Sequence, residues 1–242
     1  MLAALFIAFV LGVAAPAQDV ALASVRNVPP RQTLPLSEAL VTVALHLQDD
    51  YVLFGLDIRG EDPTVNVDLS EAVSLGTALA QIVGQARGYT YEVVSAHVVS
   101  VYPVASKYDP ADVMNLHIAA MKLASVPAYD VFGNPGRFIP ELQQYLLQGK
   151  PVPSCGSIGP GLRSAGPGVS VEVHSAALRD VLNDVAVHDS ISPEHLTGTY
   201  PVGWIHRTRT VGGKTVHEWS ALSTVRRGWE QVLKRELARP KP

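Results

Sequence analysis

Residues 64–88, TVNVDLSEAVSLGTALAQIVGQARG, change their hydrophobic period halfway along the stretch. Val65, Val67 and Leu69 alternate with polar residues, which is the pattern of a strand with one buried face. The apolar residues that follow recur at helical spacing: Leu75, Leu79, Ile82 and Ala86. Gly88 closes the run. The stretch therefore predicts a strand followed by a helix that packs on the apolar face of the strand.

The same pattern occurs again at residues 169–187, VSVEVHSAALRDVLNDVAV. Val169 to Val173 alternates as a strand does, and Leu178, Leu182 and Val185 lie on one face of a helix. Self-similarity at this scale favours two related α/β modules over one new fold.

The residues around the first copy predict a complete small module. A helix begins at Pro35, because proline suits the first turn and apolar residues recur behind it. Residues 51–58, YVLFGLDI, predict a short apolar strand. Two β-rich runs, 89–94 and 97–102, flank a two-residue break and predict a hairpin. Residues 33–104 therefore have the predicted order helix, strand, strand, helix, hairpin.

This order and three of its phrases resemble the short N-terminal domain shared by secretins and TonB-dependent receptors. The phrases are TLPLSEAL, VNVDLSEAVSLGTAL and YTYEVVSAHVVSVYP. The positions that match the apolar motifs of the family are Leu36, Ala39, Leu40, Leu75, Ala78 and Leu79. One residue more than usual separates Leu69 from Leu75, which predicts a slightly longer loop. The resemblance implies a periplasmic contact or signalling element.

Residues 113–222 predict a diverged second module. A strand is expected at 116–123, a helix from Pro140, and a second hairpin whose arms, 204–209 and 215–219, flank Gly212-Gly213. Residues 149–168 form a Pro/Gly/Ser-rich loop, inserted where the second strand of the module should lie. The predicted fold class is α+β: two tandem small modules, each with two helices packed on a small mixed sheet with a terminal hairpin, plus a C-terminal basic helix.

The two ends of the chain carry the localisation signals. Residues 1–17 predict a signal peptide, because an apolar run from Leu2 to Val13 precedes Ala15-Pro16-Ala17, a small-x-small cleavage site. No basic residue precedes the run, so an uncleaved anchor is left open. Residues 18–32 predict a linker or a loosely held first strand. We expect a periplasmic or secreted protein.

Residues 223–242 predict a basic helix and tail containing Trp229. Such a helix either packs on the second module or makes a peripheral contact with an anionic membrane. The whole chain has a net charge of −3 and is 47% hydrophobic, which argues against a disordered or strongly nucleic-acid-binding protein. No nucleic-acid partner is expected.

Cys155, the single cysteine, is the first candidate for chemistry. A cysteine nucleophile needs a histidine within reach, and no histidine lies in the same loop. We interpret Cys155 as an incidental thiol. His206 and His217 lie on opposing arms of the second hairpin, but two imidazoles without a third ligand make a weak metal site. We interpret them as exposed strand histidines.

The remaining candidates have structural interpretations. Trp204 and Trp219 are expected in the core, and the acidic pairs Asp49-Asp50 and Glu61-Asp62 are expected at turns, where carboxylates are well solvated. The sequence therefore predicts no catalytic residue, no cofactor-binding residue and no metal ligand.

These observations predict an exported, non-catalytic adaptor or accessory protein of the cell envelope, with an envelope protein as its partner. Its second half does not predict the β-barrel or the secretin-forming region that follows this domain in the two families, so the chain is not expected to be the pore. Two alternatives stay open. One is a hydrolase that uses Cys155 with a histidine, and the other is a membrane-surface protein held by the basic C-terminal helix.

Overall fold

The computed structural model describes residues 23–28, 31–48, 51–69, 71–147, 168–189 and 201–223. The predicted signal peptide, residues 149–167 of the Pro/Gly-rich loop with Cys155, and residues 224–242 of the basic tail lie outside the described residues. No helix in the described part of the chain is long and apolar enough to cross a bilayer.

The first half contains the predicted helices, strands and hairpin, with several short strands added. Its strands are β1 (Ser24–Val25), β2 (Gln32–Pro35), β3 (Leu47–Gln48), β4 (Leu53–Arg59), β5 (Thr64–Val67), β6 (Val73–Ser74), β7 (Tyr89–Ser95) and β8 (Val98–Pro103). Its helices are α1 (Leu36–Leu45) and α2 (Leu75–Val83). Short 3-10 turns at Val104–Ser106 and Val113–Asn115 lead into the second half.

The second half also contains its predicted elements. Its strands are β9 (His117–Val126), β10 (Val169–Ala177), β11 (Pro201–Val211) and β12 (Lys214–Ser223). Its helices are α3 (Ala128–Gly133), α4 (Pro140–Leu147) and α5 (Leu178–His188). The sequence did not predict α3, a single short turn-and-a-half of helix after Pro127. The helix expected from residue 223 does not begin there, because Leu222 and Ser223 belong to β12.

The predicted strand–helix pair is confirmed. Val65 and Val67 of β5 are buried, and they share one apolar cluster with Leu75, Leu79 and Ile82 of α2. The loop before α2 has a structural role, because β6 in this loop pairs with β1. Residues 23–28 are therefore not a linker: Ser24–Val25 is a strand held by both β3 and β6. This agrees with the alternative of a first strand.

One five-stranded sheet, in the order β12-β11-β4-β8-β7, joins the two halves. Strand β4 lies at its centre and runs parallel to β11 on one side and to β8 on the other. The sequence predicted a separate sheet for each half, and this differs from the structure. The reason lies in β4, whose residues Leu53 to Ile58 are all buried. A strand with both faces buried is typical of a sheet centre.

The two faces of this sheet carry separate apolar cores. Phe54, Leu56 and Ile58 point to the face covered by α1 and α2, and the paired strands β2 and β5 pack with these helices. Leu53 and Trp204 belong to the opposite face, which packs with α3, α5 and the paired strands β9 and β10. The result is a mixed α/β fold, in agreement with the predicted α+β class.

Close packing on the second face depends on Gly55. A Cβ atom at this position would lie 2.5 Å from Cζ2 of Trp204 and 2.7 Å from Oδ1 of Asn183. The bare backbone of Gly55 therefore makes the space that the Trp204 ring fills. The ring nitrogen of Trp204 donates a hydrogen bond to Asn183 Oδ1 at 3.2 Å.

Candidate functional site

A cluster of buried polar side chains is centred on Asp57, where β4 and β11 run side by side. The parallel register places Asp57 opposite His206. Asp57 Oδ1 lies 2.8 Å from His206 Nδ1, and both side chains are fully buried. Burial of an unpaired carboxylate costs several kcal/mol. Asp57 therefore needs the contact with His206 in order to be buried, and the same contact places a carboxylate beside an imidazole.

The second carboxylate oxygen of Asp57 faces cationic and hydroxyl donors. Asp57 Oδ2 accepts a hydrogen bond from Arg59 at 2.9 Å, and lies 3.4 Å from Ser106 Oγ and 3.5 Å from an Arg179 nitrogen. Asp112 binds the same Arg59 nitrogen through both oxygens, at 2.5 and 2.6 Å. Two carboxylates thus meet two guanidinium groups, and the cluster is balanced in charge.

This environment sets the protonation of the Asp57–His206 pair. Burial alone would raise the pKa of Asp57, but His206 and Arg59 outweigh it and hold that pKa below its usual value. Burial lowers the pKa of His206, in spite of the opposing effect of Asp57. We therefore assign an ionised Asp57 and a neutral His206 that donates its Nδ1–H to the carboxylate.

A second histidine continues the chain of hydrogen bonds. His206 Nε2 lies 3.1 Å from His217 Nδ1, so in this assignment His217 donates and its own Nε2 keeps a lone pair. Burial, together with the nearby His206, lowers the pKa of His217 to about 4. The array Asp57–His206–His217 ends in a lone pair that can accept a hydrogen bond, but a pKa of about 4 makes His217 a weak base near neutral pH.

Aromatic rings hold this array in place. His206 stacks on Trp219 with the ring centroids 4.5 Å apart, and His217 stacks on the same indole at 5.7 Å. The Tyr145 ring of α4 meets His217 edge-on at 6.0 Å. The prediction of exposed strand histidines is wrong for His206, because the face of β11 that carries it is covered and Asp57 supplies a buried partner.

A cleft of about 410 Å³ lies next to this cluster, between the β7–β8 hairpin and α5. Helix α5 packs on β4, β8 and β11, and β7 is the edge strand on this side of the sheet. Within the described residues β7 pairs with β8 alone, so its outer edge carries no strand. Val94 of β7 is exposed beside the cleft.

Arg179 connects the cleft to the buried cluster. Its guanidinium group lies 4.7 Å from the centroid of the Tyr102 ring and donates to Ser106 Oγ at 3.2 Å. Next to it, Glu92 accepts hydrogen bonds from Lys107 at 2.7 Å and from the Tyr102 hydroxyl at 2.9 Å. The bond to Lys107 is the main reason that the pKa of Glu92 is lowered. On the side of the β7–β8 hairpin, the wall of the cleft is therefore charged but internally paired.

Among the described residues, two polar side-chain atoms at the cleft find no hydrogen-bond partner. They are Ser100 Oγ and Arg179 Nε, both buried. Ser100 faces the α5 side of the sheet, since its neighbours Val99 and Val101 pack on the opposite face. Buried polar atoms are normally satisfied, so a group that enters this cleft would find unused hydrogen-bonding capacity.

The other residues considered in the sequence have mixed outcomes. Trp204 is fully buried, as predicted, whereas Trp219 is half-buried. Asp62 is at a turn, as expected, but it also binds Ser37 at 2.5 Å and Arg207 at 3.2 Å. Cys155, Asp49-Asp50 and residues 224–242 lie outside the described residues, so the predictions made for them stay predictions.

The sequence patterns did not reveal the centre of the buried cluster. Its charged residues come from three separate parts of the chain and were not predicted as site residues: Asp57 with Arg59, Asp112, and Arg179. The signal that could have found it is Asp57 itself, the one carboxylate in the apolar run YVLFGLDI. A charged residue in a strand that is otherwise apolar on both faces requires a buried partner.

In the part of the chain that the structure describes, no group of three or more histidine, cysteine, aspartate or glutamate residues is arranged to hold a metal ion. No family model, no curated protein and no solved structure matches this chain.

Proposed function

We propose that this chain is an exported, non-catalytic adaptor or accessory protein of the cell envelope, which binds a protein partner at the outer edge of β7. The observation that carries the proposal is the combination of that edge with the adjacent cleft. Among the described residues, β7 has no strand on its outer side, and α5 stands across the cleft from it.

An edge strand of this kind is suited to binding a partner chain. Its outward backbone N–H and C=O groups are available to an added strand, and main-chain hydrogen bonds supply affinity in that mode of recognition. The cleft provides a place for the side chains of the partner, which supply specificity.

We further propose that the two halves are diverged copies of the short N-terminal domain of secretins and TonB-dependent receptors. The supporting observation is the symmetry of the sheet about β4, with one hairpin on each side. In the first half the paired strands β2 and β5 pack with α1 and α2, and in the second half the paired strands β9 and β10 pack with α5. In this proposal both copies use β4 as their second strand.

The adaptor proposal is tested by photo-crosslinking in the native envelope. A benzoylphenylalanine is placed at Val94, beside the cleft, or at Val211, an exposed valine of the other hairpin that serves as control. We expect one specific protein to be captured from position 94 and not from position 211. Capture of no specific protein from position 94, or equal capture from both positions, would contradict the proposal.

A second candidate function is hydrolysis, which the Asp57–His206–His217 array favours. In this alternative Cys155 is the nucleophile and His217 takes its proton. Hydrolysis of p-nitrophenyl acetate would then be lost in both Cys155→Ala and His217→Ala, and kept in His174→Ala, which removes an exposed histidine of β10. Equal turnover by the wild type and the three variants would exclude the alternative.

A further inference from the structure

Two carboxylates of α5 give the cleft an excess of negative charge. Asp180 and Asp184 are four residues apart, so they lie on the same face of the helix, and both line the cleft. In the described part of the chain Asp180 makes no hydrogen bond or ion pair. Asp184 has one ionic neighbour, the exposed His188, with Oδ1 and Nδ1 3.7 Å apart.

The cations of the cleft do not offset these two charges, because each already has a closer carboxylate. Lys107 binds Glu92 at 2.7 Å. Arg179 points its charged end inward, to Asp57 and Ser106. The carboxylates of Asp180 and Asp184 are therefore the charges that a ligand could neutralise.

The same cleft has apolar rims. Val94 of β7 is 38% exposed and Val187 of α5 is 43% exposed, and both line it. Covering two such side chains favours binding by removing apolar surface from water. The buried Ser100 Oγ and Arg179 Nε, for which the described part of the chain offers no hydrogen-bond partner, add hydrogen-bonding capacity at the floor.

From these features we infer that the cleft binds an extended peptide segment that carries a basic side chain. The segment adds to the outer edge of β7 as a strand. Its lysine or arginine is bound by Asp180 and Asp184, and an apolar neighbour covers Val94 and Val187. This inference rests on the proposed adaptor function and specifies the chemistry of the partner.

The inference is tested by selection from a displayed library of random nonapeptides on the full chain. We expect the selected peptides to share one lysine or arginine with apolar residues nearby. A selected peptide that is N-methylated at the alternate amides facing β7 should fail to bind, because methylation removes the backbone donors that strand addition needs. Amide shifts in β7 and α5 on titration of the peptide would locate the site.

Variants of the carboxylates provide the decisive comparison. Asp180→Asn should weaken the selected peptide roughly fivefold, with the loss shrinking at high salt, as expected for a partly exposed ion pair. The matched control is Asp130→Asn, which removes an exposed carboxylate of α3 away from the cleft and should leave affinity unchanged.

The outcomes separate this inference from the adaptor proposal. Selection of acidic or uncharged peptides, failure to select any peptide, or unchanged affinity in Asp180→Asn would overturn the inference. In each case specific capture from position 94 in the envelope would leave the adaptor proposal standing. Absence of specific capture from position 94 would overturn both the inference and the adaptor proposal.

Discussion

Asp57 and His206 lie opposite each other on the parallel strands β4 and β11, with Oδ1 2.8 Å from Nδ1 and neither side chain exposed. This pair joins the N-terminal half of the chain to its C-terminal hairpin through a charged group in the interior. We therefore expect loss of this carboxylate to destabilise the sheet at the β4–β11 pairing.

Substitution of Asp57 by asparagine is expected to lower the free energy of unfolding by about 3 kcal/mol or more, because breaking a buried ion pair leaves uncompensated charge. Arg179 would lose Asp57, its one carboxylate partner among the residues that the structure describes, while Arg59 would keep Asp112. Urea denaturation measures the loss. The control is Asp68→Asn, whose ion pair with Arg31 is exposed, so a loss below about 1 kcal/mol is expected. Equal losses in the two variants would contradict this account.

Acid is expected to destabilise the protein below about pH 6.5, the ordinary histidine pKa. The pKa of His217 is lowered to about 4, and burial lowers that of His206 as well. Between these values the unfolded chain binds more protons than the folded chain, so the free energy of unfolding falls as pH falls. Urea denaturation at pH 7, 6, 5 and 4.5 measures the slope.

Two variants separate the contributions to this pH profile. His217→Gln should flatten it, because it removes one group whose folded pKa is lowered. Asp189 acts in the opposite direction: burial raises its pKa to about 6, so its carboxyl group favours the folded state as pH falls through that value. Asp189→Asn should therefore steepen the loss of stability in acid. If neither variant changed the pH dependence of the free energy of unfolding, other titratable groups would control that dependence.

A methyl group at position 55 is expected to disrupt the apolar core on the face of the sheet that contains Trp204. In Gly55→Ala the new Cβ would lie 2.5 Å from Cζ2 of Trp204, so the indole must move. Overpacking of this kind costs about 1–3 kcal/mol. Thermal unfolding and the near-ultraviolet circular dichroism of the tryptophans measure the change. Gly136→Ala is the control, since its Cβ would come no closer than 3.5 Å to Leu146; similar losses in both variants would argue against a specific clash.

The N-cap residues of α2 and α5 differ, and substitution can give each helix the type of residue that the other has. Ser74 caps α2 by accepting a hydrogen bond from the Thr77 N–H at 3.1 Å, whereas Ala177 at the same position of α5 has no capping side chain. Ser74→Ala should lower stability by about 1 kcal/mol, and Ala177→Ser should raise it by a similar amount. The double variant should lie near the wild type in urea denaturation. Destabilisation by Ala177→Ser would show that the missing N-cap side chain does not limit the stability of α5.

Local patterns predicted the elements of this fold, and not their long-range pairing. The alternation at Val65 and Val67 and the helical spacing from Leu75 are properties of a few neighbouring residues, so β5 and α2 could be predicted. The Gly212-Gly213 turn, with both glycines at positive φ, likewise marked the second hairpin. In contrast, Asp57 and His206 are 149 residues apart in sequence, and no local pattern specifies that β11 pairs with β4.

The cleft was unpredictable for the same reason. It lies between the β7–β8 hairpin and α5, and this position depends on how the two halves share one sheet. Asp180 and Asp184 resemble the solvated face of any helix in the sequence. Only their position across from β7 identifies them as candidates for binding.

The position of β4 at the centre of the sheet also determines the order in which the strands of the sheet can pair during folding. During synthesis β4 meets β8 early, but its other edge must wait for β11, more than a hundred residues later. Until then a bare apolar strand edge is available to other nascent chains. A polypeptide that stopped at residue 200 would keep this edge open permanently, so the final hairpin protects the protein from self-association.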